Sequence, residues 1–391
     1  MELQYQENVV AGGPQDFAEV RHLLLRGSNY AIGQRLAEIA RARHGLRVLP
    51  AADPLRARAQ RSYLGLHYPI HLDRMRGVAA AYDLDPQRDD IELGELVYNC
   101  GEPGCSVVYY PPTTTESGHG MLSRNFDFTT GTITRAVPNP GAAAAVSQPY
   151  VVEVYPDIGY PALYLCAYDL LGGCLDGINS EGLVVALLAD RETANSSSME
   201  PTMASAVGLN EIRITRLLLD TCADVDEAKH ALLTNKHFYG ALPCHYIIAD
   251  RQGRSFVWEY SQAHNKEYII DGDGPQAITN HPLHRYRSAA ELPVDAPINT
   301  YDRYRTLLGR IQGQHSRYST AFIKATNACV AACSPATNRA IVPSRTLWHG
   351  LYDIDARSLE IDFYLGDVPG AEPQGEVRVV RSDYRMFRLD C

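Results

Sequence analysis

Two cysteines stand five residues apart in NCGEPGCSVVYY (residues 99–110), and a glycine directly precedes the second, Cys105. This spacing is compatible with a metal site, a disulfide, a redox pair or one nucleophile beside a bystander. The sequence holds no C-x-x-C motif, which leaves zinc ribbons and thioredoxin-type sites without support. Its nine cysteines are odd in number and dispersed, so they do not indicate a disulfide framework. Most of the nine thiols are expected to be small buried hydrophobes, and one nucleophile beside a bystander stays open for this pair.

Breaking the bond between Gly104 and Cys105 would make Cys105 an N-terminal residue with a free α-amine. Such an amine has a pKa of about 7.7–8.0, so one residue would supply both the nucleophile and its general base. The thiol would attack the preceding carbonyl, and water would then release the thioester. Glycine suits this step because it has no Cβ and tolerates strained backbone. Taken alone, the two residues favour a simpler interpretation, a loop glycine before a buried strand thiol.

Other catalytic signatures are missing from the sequence, which has no G-x-S-x-G, H-E-x-x-H, P-loop or G-x-G-x-x-G motif. The thirteen histidines show no ligand spacing, and surface or packing roles are favoured for His281 and His284. Two alternatives therefore stay open beside a self-cleaving enzyme. One is an unprocessed thiol enzyme with a Cys–His pair, and the other is a non-catalytic binding protein.

Composition is that of a globular enzyme, with 45% hydrophobic and 21% charged residues in 391. The net charge of −10 argues against a nucleic-acid surface. The first residues show no signal-peptide pattern, and the longest apolar run, LVVALLA (183–189), is too short to span a bilayer. We therefore expect a cytoplasmic protein without a membrane or nucleic-acid partner.

The predicted secondary structure that must position Cys105 changes at this residue from helices to strands. Residues 1 to about 98 are predicted to be mainly helical, with one helix over 30–43 that ends at Gly45 and another that begins at Asp53-Pro54. Residues 90–98 are predicted to form a last short helix. After Cys105 the pattern is typical of strands, beginning with a hairpin that pairs SVVYY (106–110) with MLSRNFDF (121–128).

Further strands are predicted at residues 151–155, 162–168, 183–189, 245–250 and 255–260, and a last hairpin joins 346–354 to 359–365. Helices are predicted within 207–234, where Asp224 and Glu227 form a capping arrangement, and around 304–311. Antiparallel strands with grouped helices indicate an α+β layered fold.

Six segments of the sequence, taken together in their order along the chain, resemble those of a known protein family. They are GSNYAIGQRLAEIA (27–40), GCS (104–106), LSRNFDF (122–128), DGINSEGLVVAL (176–187), AITNHP (277–282) and TLWHGLYDIDARSLEIDFYLGD (346–367). In this order they resemble the N-terminal-nucleophile (Ntn) cysteine hydrolases of the acyl-CoA:6-aminopenicillanic acid acyltransferase family. That family is related to choloylglycine hydrolase, penicillin V acylase and acid ceramidase. The resemblance extends over nearly the whole chain.

The resemblance implies cleavage between Gly104 and Cys105, with Cys105 as nucleophile and Cys100 as a bystander on the departing side. It implies that Arg124 stabilises the thiolate of Cys105 and that Asp127 orients the α-amine. Both residues follow Cys105 on the second strand of the predicted hairpin, which brings them within reach. An ordinary ion pair at the end of a strand is the alternative interpretation.

Three more site residues follow from the resemblance. Asn280 would donate its side-chain amide to the tetrahedral oxyanion, and Asn179 would add polar groups to the same pocket. Arg303 lies in a Thr-x-x-Arg version of the family's Ser-x-x-Arg pattern and would support the site. Turn asparagines and a solvated helix-face arginine are the alternatives. The long loop before Arg124, and Ser180 in place of a common acidic residue, leave the substrate open.

The fold implied is a four-layer αββα sandwich with a helical N-terminal segment packed against it. Residues 1–104 would become a small subunit that stays bound after the zymogen is cut, and residues 105–391 would form the catalytic large subunit. The activity implied is that of an amidohydrolase or acyltransferase of small-molecule metabolism, which cleaves or forms an amide through a thioester acyl-enzyme.

The partners expected are a small-molecule amide or acyl donor and an amine acceptor. No metal and no bound cofactor are expected, and an acyl-CoA or another thioester is a candidate co-substrate. A homo-oligomer is an open alternative to a monomer.

Overall fold

A computed structural model describes residues 2–51, 53–93, 104–131, 146–167, 170–171, 173–195, 206–240, 242–261, 264–296, 298–332, 343–368 and 378–390. Cys100 lies outside these residues, so its interpretation as a bystander stays a prediction.

Eight α-helices and eighteen strands form within these described ranges. The helices are α1 (Asn29–His44), α2 (Pro54–His67), α3 (Pro69–Ala81), α4 (Arg191–Ala194), α5 (Glu211–Thr221), α6 (Val225–Thr234), α7 (Thr300–Gln312) and α8 (Thr320–Ala328). The strands are β1 (Gln4–Gly12), β2 (Glu19–Gly27), β3 (Leu49–Pro50), β4 (Ile91–Glu92), β5 (Gly104–Tyr110), β6 (Met121–Thr129), β7 (Tyr150–Pro156), β8 (Ala162–Cys166), β9 (Asp176–Asn179), β10 (Val184–Ala189), β11 (Cys244–Ala249), β12 (Ser255–Ser261), β13 (Lys266–Gly272), β14 (Gln276–Ile278), β15 (Ser344–Asp353), β16 (Ser358–Val368), β17 (Arg378–Arg381) and β18 (Arg385–Arg388).

Two large sheets contain nearly all of these strands. The first has nine strands in the order β1-β2-β7-β8-β9-β10-β11-β12-β13, and all its neighbours are antiparallel except β2 and β7. The second has the order β14-β5-β6-β15-β16-β17, with β18 also paired to β16. β5 therefore lies inside the second sheet, between β14 and β6.

Three hydrophobic cores separate four layers. Helices α1, α2, α3, α5 and α6 pack on one face of the nine-stranded sheet, where Leu25 and Trp258 are buried. The two sheets face each other across a second core, which contains Val107 of β5 and Ile247 of β11. Helices α7 and α8 cover the outer face of the seven-stranded sheet, where Val108 is buried. The αββα sandwich expected from the resemblance is thereby confirmed.

Strand β5 shows how the sequence pattern produces these layers. Its residues are β-branched or aromatic over much of its length, which favours a strand. Because successive side chains of a strand point to opposite faces, Cys105, Val107 and Tyr109 enter the core between the sheets. Val108 and Tyr110 instead face the outer helices. The catalytic candidate therefore points into the centre of the sandwich.

The N-terminal segment differs from its prediction in part. Helix α1 matches the helix predicted over 30–43, with Ser28 as N-cap and Gly45 as a left-handed C-cap at φ 63°. The mainly helical character predicted for residues 1 to about 98 is wrong at Gln4–Gly12 and Glu19–Gly27, because β1 and β2 form an antiparallel pair at the edge of the nine-stranded sheet. The short helix predicted over 90–98 is also wrong at residues 91–92, which form β4, and residues 94–98 lie outside the described ranges.

The strands and helices predicted after Cys105 are found where they were expected. The β5–β6 hairpin pairs antiparallel, and β15 and β16 form the last hairpin. Asp224 accepts a hydrogen bond from the Glu227 nitrogen at the start of α6, and the Glu227 carboxylate accepts from the Ala223 nitrogen. The capping arrangement is thus confirmed. In the described part of the chain, no helix combines the length and apolar character needed to cross a bilayer.

Helices α1 and α3 approach closely at two glycines. A Cβ on Gly33 would collide with the backbone of Arg74, and a Cβ on Gly77 would collide with the backbone of Tyr30. This contact brings the Arg74 side chain to the N-terminal end of α1, where its Nε donates to Oδ1 of Asn29 at 2.9 Å. The close crossing thus carries Arg74 into the interior.

A buried polar network joins the N-terminal segment to α5. Asp220 accepts hydrogen bonds from Nη1 of Arg74 at 2.6 Å, Nη2 of Arg74 at 3.1 Å and Nη2 of Arg216 at 2.8 Å. The hydroxyl of Tyr68 also donates to this carboxylate. Burial raises the pKa of Asp220, but the two arginines outweigh it and the net pKa is lowered. A charged Asp220 therefore holds residues before and after position 104 together.

Replacing Asp220 with asparagine should destabilise the fold, because Arg74 and Arg216 would remain buried without their carboxylate. We expect the free energy of unfolding to fall by about 3–5 kcal/mol, the usual cost of removing one partner of a buried ion pair. Denaturant unfolding measures it. The matched control Asp90→Asn removes an exposed carboxylate that pairs with Arg88, and it should leave the midpoint unchanged. Equal midpoints for both variants would contradict the role of the network.

Candidate active site

Cys105 is the second residue of β5 and points into the core between the sheets, where 1% of its surface is exposed. Gly104 opens the strand and lies opposite Asp127 of β6. A Cβ on Gly104 would lie 3.1 Å from the Cβ of Asp127, closer than ordinary van der Waals contact. Since Gly104 has the extended backbone of a strand, the structural reason for glycine is this packing rather than an unusual conformation.

Arg124 lies beside the thiol, on the neighbouring strand. The antiparallel register pairs Arg124 with Val107, so its side chain is on the same face of the sheet as Cys105. Nη2 of Arg124 lies 3.6 Å from Sγ of Cys105 and donates to the Leu187 carbonyl oxygen at 2.9 Å. The hairpin predicted from the sequence thus brings Arg124 to Cys105.

Asp176 is a site residue that the sequence interpretation missed. It is the first residue of β9, and its carboxylate forms a fully buried ion pair with Arg124. The same carboxylate accepts a hydrogen bond from the Tyr352 hydroxyl on β15. A signal was available in DGINSEGLVVAL, because an aspartate that opens an apolar strand needs a buried partner. The pair joins the two sheets at the thiol and fixes the guanidinium of Arg124.

Asn280 contacts the nitrogen of Cys105. Its Oδ1 accepts hydrogen bonds from the Cys105 backbone nitrogen at 2.7 Å and from Nη2 of Arg303 at 2.7 Å. Its Nδ2 donates to the Ala189 carbonyl oxygen at 2.8 Å. These partners settle the orientation of the amide, because a flipped amide would turn a donor toward two donors and an oxygen toward an oxygen. In the uncut chain Asn280 therefore holds the nitrogen of the Gly104–Cys105 bond.

Arg303, near the start of α7, connects the layer of α7 and α8 to Cys105 and Asn280. Its Nη1 donates to the Cys105 carbonyl oxygen at 2.5 Å and to Oγ of Ser106 at 2.8 Å. Its Nη2 donates to Oδ1 of Asn280. The guanidinium is buried, with 8% of the residue exposed. The structure thus places Arg303 in contact with Cys105, and the alternative of a solvated helix-face arginine does not apply.

Asp127 lies next to the cleavage candidate but does not contact its nitrogen in the uncut chain. Its Oδ1 accepts a hydrogen bond from Oγ1 of Thr346 at 2.5 Å, whereas the Cys105 nitrogen donates to Asn280. Burial raises the pKa of Asp127, although the charge of Arg303 and the Thr346 hydrogen bond oppose the rise. The expected contact between Asp127 and an α-amine stays a prediction about the cut chain.

The side chain of Asn179 makes its hydrogen bonds outside the cluster formed by Cys105, Arg124, Asn280 and Arg303. Its Nδ2 donates to the Leu219 and Cys222 carbonyl oxygens at 3.1 and 2.7 Å, at the C-terminal end of α5. Its Oδ1 accepts from the backbone nitrogens of Glu181 and Leu183 in the turn between β9 and β10. The side chain therefore closes a turn and caps a helix. This is the turn-asparagine alternative, and no contact supports its assignment to the pocket.

The surroundings of Cys105 set the charge of its thiol. Burial raises the pKa of Cys105, Arg124 and Arg303 oppose the rise, and Asp127 adds to it. The net direction is upward, so the thiol of the uncut chain is protonated at neutral pH. Nucleophilic attack therefore needs a base, and an α-amine released beside the thiol would supply one.

One group of potential metal ligands occurs among the residues that the structure describes: His119, Asp353 and Asp355. The Nδ1 atom of His119 is hydrogen-bonded to the Asp353 carboxylate at 2.9 Å, and Asp355 accepts from the Gly120 nitrogen at 2.8 Å. These bonds tie the β5–β6 turn to the β15–β16 turn, at the end of the hairpin away from Cys105. These hydrogen bonds give the three side chains a role in positioning the two turns.

Comparisons with known proteins give one family and several solved structures. The family model described as acyl-coenzyme A:6-aminopenicillanic acid acyl-transferase matches residues 113–367. A comparison with curated protein sequences gives no match. Two variants of the conjugated bile acid hydrolase of Clostridium perfringens each have a TM-score of 0.49 at 13% identity, covering 73% of this chain and 97% of theirs. Penicillin V acylase of Agrobacterium tumefaciens has a TM-score of 0.42 at 18% identity, covering 66% and 83%.

The charge of Arg124 gives a direct prediction for the thiol. Removing it in Arg124→Gln should raise the pKa of Cys105, because an opposite charge at this distance favours the thiolate. Thiolate absorbance in the ultraviolet is followed against pH, and each protein is compared with its own Cys105→Ser counterpart so that the other thiols cancel.

Two controls complete this titration. Arg124→Lys keeps a positive charge and should shift the midpoint less than Arg124→Gln. Arg305→Gln removes a partly exposed arginine of the same helix as Arg303 and should leave the midpoint unchanged. A midpoint in Arg124→Gln at or below that of the unmodified chain would contradict the proposed contact.

Proposed function

Because this chain belongs to the acyl-coenzyme A:6-aminopenicillanic acid acyl-transferase family, we propose that it is an amidohydrolase or acyltransferase that activates itself by cutting before Cys105. Its reaction makes or breaks an amide bond through a thioester on Cys105. One observation carries the proposal. The nitrogen, the carbonyl oxygen and the sulfur of Cys105 each contact a different polar side chain, from Asn280, Arg303 and Arg124 in turn.

Self-cleavage begins with attack of the Cys105 thiol on the carbonyl carbon of Gly104. The C–S bond forms, the C–N bond breaks, and the thiol proton passes to the nitrogen, which gives a thioester and a free α-amine. Water then hydrolyses the thioester to a Gly104 carboxylate and restores the thiol. Oδ1 of Asn280 already accepts from this nitrogen at 2.7 Å, which supports a continuing role in holding the amine.

The segment 1–104 stays bound after the cut, as a small subunit. Its strand β2 pairs in parallel with β7 over seven residue pairs, and β1 pairs with β2 beyond it. Its helices contribute Ile32, Leu64 and Met75 to the first core. The ion pair between Arg74 and Asp220 adds a buried polar contact. These contacts do not depend on the bond between Gly104 and Cys105.

In turnover, the α-amine takes the proton of the thiol and the thiolate attacks the carbonyl carbon of the substrate. Arg124 stabilises the negative sulfur, and its own position is fixed by Asp176. The leaving amine departs with a proton, and water or an acceptor amine then attacks the acyl thioester on Cys105. Asn280 is the oxyanion donor that the family resemblance suggests; its Oδ1 faces the Cys105 nitrogen and one hydrogen of Nδ2 is donated to the Ala189 carbonyl oxygen, so the second hydrogen of Nδ2 would have to serve the oxyanion.

The family description supports an acyl thioester of coenzyme A as one acyl donor and an amine as acceptor. No bound cofactor or metal enters the proposed reaction. A reducing compartment such as the cytoplasm fits the six described cysteines, none of which forms a disulfide.

Two other functions remain as alternatives to a self-cleaving enzyme at this site. A binding protein on this scaffold would leave the chain whole and the thiol without turnover. An uncut thiol enzyme would need a histidine partner. Against it, Nδ1 of His281, the histidine next to Asn280, lies 3.2 Å from Oγ1 of Thr279 and 3.1 Å from Oγ1 of Thr300. Burial also lowers the pKa of His281 to about 3.

Purified protein should consist of two fragments, residues 1–104 and 105–391, because the thiol cuts its own chain. Intact mass and N-terminal sequencing measure this. Cys105→Ala should remain whole and inactive, since it has no nucleophile, while Cys329→Ala, at an exposed cysteine, should be cut as usual. A whole chain that keeps its activity in Cys105→Ala would contradict the mechanism.

The cut protein should release acyl groups from a member of a panel of linear amides and acyl-CoA thioesters. Penicillin V and a conjugated bile acid belong in this panel. Adding 6-aminopenicillanic acid as an amine acceptor separates the two reactions, because a transferase forms a new amide whereas a hydrolase releases the free acid. Product analysis by mass spectrometry reads the outcome. No consumption of any donor by fully cut protein would favour the binding-protein alternative.

A further inference from the structure

His245 forms a bridge between the two sheets behind Asn280. It is the second residue of β11 in the nine-stranded sheet, and it is 1% exposed. Its Nε2 lies 2.6 Å from the carbonyl oxygen of Thr279, which directly follows β14 of the seven-stranded sheet. Its Nδ1 lies 3.3 Å from Oε1 of Glu259, its cross-strand partner on β12. The sequence interpretation did not single out His245.

The two contacts of His245 define its protonation. A backbone carbonyl oxygen only accepts hydrogen bonds, and so does an ionised carboxylate. Two such contacts call for a donor on each ring nitrogen, which is the arrangement of an imidazolium. Burial lowers the pKa of His245, but the hydrogen bond and charge of Glu259, together with the charge of Asp190, outweigh it and raise the pKa. Glu259 stays ionised, because its hydrogen bonds lower its pKa despite burial.

Glu259 holds the other end of the same segment. Its Oε1 accepts from the backbone nitrogen of Leu283 at 2.6 Å, and its Oε2 accepts from that of His284 at 3.0 Å. The ring of His284 adds a contact at 2.5 Å from Nδ1 to Oε2. The pair formed by His245 and Glu259 therefore fixes residues 279 and 283–284, which lie on either side of Asn280.

The peptide unit between Thr279 and Asn280 is held at both ends. Its carbonyl oxygen accepts from His245, and its nitrogen donates to Oγ1 of Thr300 at 2.7 Å. From this fixed unit the Asn280 side chain reaches the Cys105 nitrogen. Backbone movement at residue 279 would thus move the amide that contacts the reacting residue.

We propose that His245, held as a buried imidazolium by Glu259, is a positioning residue that fixes Asn280 against Cys105. Its catalytic consequence rests on the proposed function, whereas its charge state does not. Loss of one ring proton would leave either the Thr279 carbonyl without a donor or a nitrogen lone pair facing Glu259. The segment would then shift, and a misplacement of about 1 Å can cost about a hundredfold in rate.

The charged bridge gives a pH dependence with a definite sign. Because the pKa of His245 is raised in the folded chain, the imidazolium is present at low pH and persists above the pKa of free histidine, about 6.5. It is lost as the pH rises through the folded value. The titratable groups whose charges act on His245 or respond to it are Glu259, Asp190 and His281, and His284 contacts Glu259. Activity that depends on this bridge should therefore fall on the alkaline side.

The charge state is tested first, by following the histidine ring signals of the complete protein by NMR against pH. His245→Gln identifies the signal of His245. We expect an imidazolium at neutral pH, with a midpoint above that of free histidine and lowered in Glu259→Gln. A neutral His245 ring at pH 6 would overturn the proposal, whatever reaction the protein performs.

The positioning role is tested by rate against pH, on the amide or thioester that the unmodified protein turns over fastest. Its kcat should fall on the alkaline side with the midpoint found by NMR. His245→Ala should lower kcat more than tenfold and change KM less than threefold. His245→Gln can still donate to Thr279, so it should regain part of kcat and lose that alkaline fall. His230→Gln, at an exposed histidine of α6, is the matched control and should behave like the unmodified protein.

The two tests separate the possible failures. If kcat of folded His245→Gln still falls on the alkaline side as in the unmodified protein, the positioning role is wrong. A histidine with a purely structural role would change the yield of folded protein but not the dependence of kcat on pH. If the unmodified protein turns over no substrate, the proposed function fails. The NMR midpoint then still decides whether His245 is the charged bridge.

Discussion

The hydrogen bond from the Cys105 nitrogen to Oδ1 of Asn280 is the contact on which the rest of the site depends. It ties the start of β5 to the segment after β14, and Arg303 of α7 donates to the same oxygen. The amide nitrogen of Asn280 donates to the Ala189 carbonyl oxygen, at the end of β10 in the other sheet. One buried side chain thus connects both sheets and a covering helix at the residue proposed to react. Because a buried polar group left without a partner is costly, each of these elements constrains the others.

Buried ion pairs fix the geometry around this contact. Arg124 and Asp176 connect β6 to β9 beside the thiol, and His245 pairs with Glu259 behind Asn280. Replacing such pairs with apolar residues is often neutral or stabilising, so stability alone does not account for them. Each pair instead holds a charge or a backbone unit at a set position. For the proposed thiolate of the buried Cys105, fixed charges are an advantage, because they are already in position when negative charge develops.

The sequence predicted the strands after Cys105 well, since their apolar and β-branched runs are long and their turns are marked. It also predicted that Arg124 lies within reach of Cys105, because a hairpin brings its two strands into register. It missed β1 and β2, whose many polar and charged residues at a sheet edge lack a clear apolar pattern. Asp176 and His245 were missed because each acts through a partner distant in sequence, which only the fold brings near. Asn179 was assigned to the pocket by its segment, whereas its side chain turns toward α5.

The proposed mechanism requires that Cys105, as the N-terminal residue left by the cut, carries the acyl group during turnover. Acid quenching during turnover of an acyl donor, followed by peptide mapping of the 105–391 fragment by mass spectrometry, tests it most directly. We expect the acyl mass on the peptide that begins with Cys105, attached through sulfur and removed by hydroxylamine, with the α-amine unmodified. An acyl group found on a peptide without Cys105, in protein that turns over at the full rate, would contradict it.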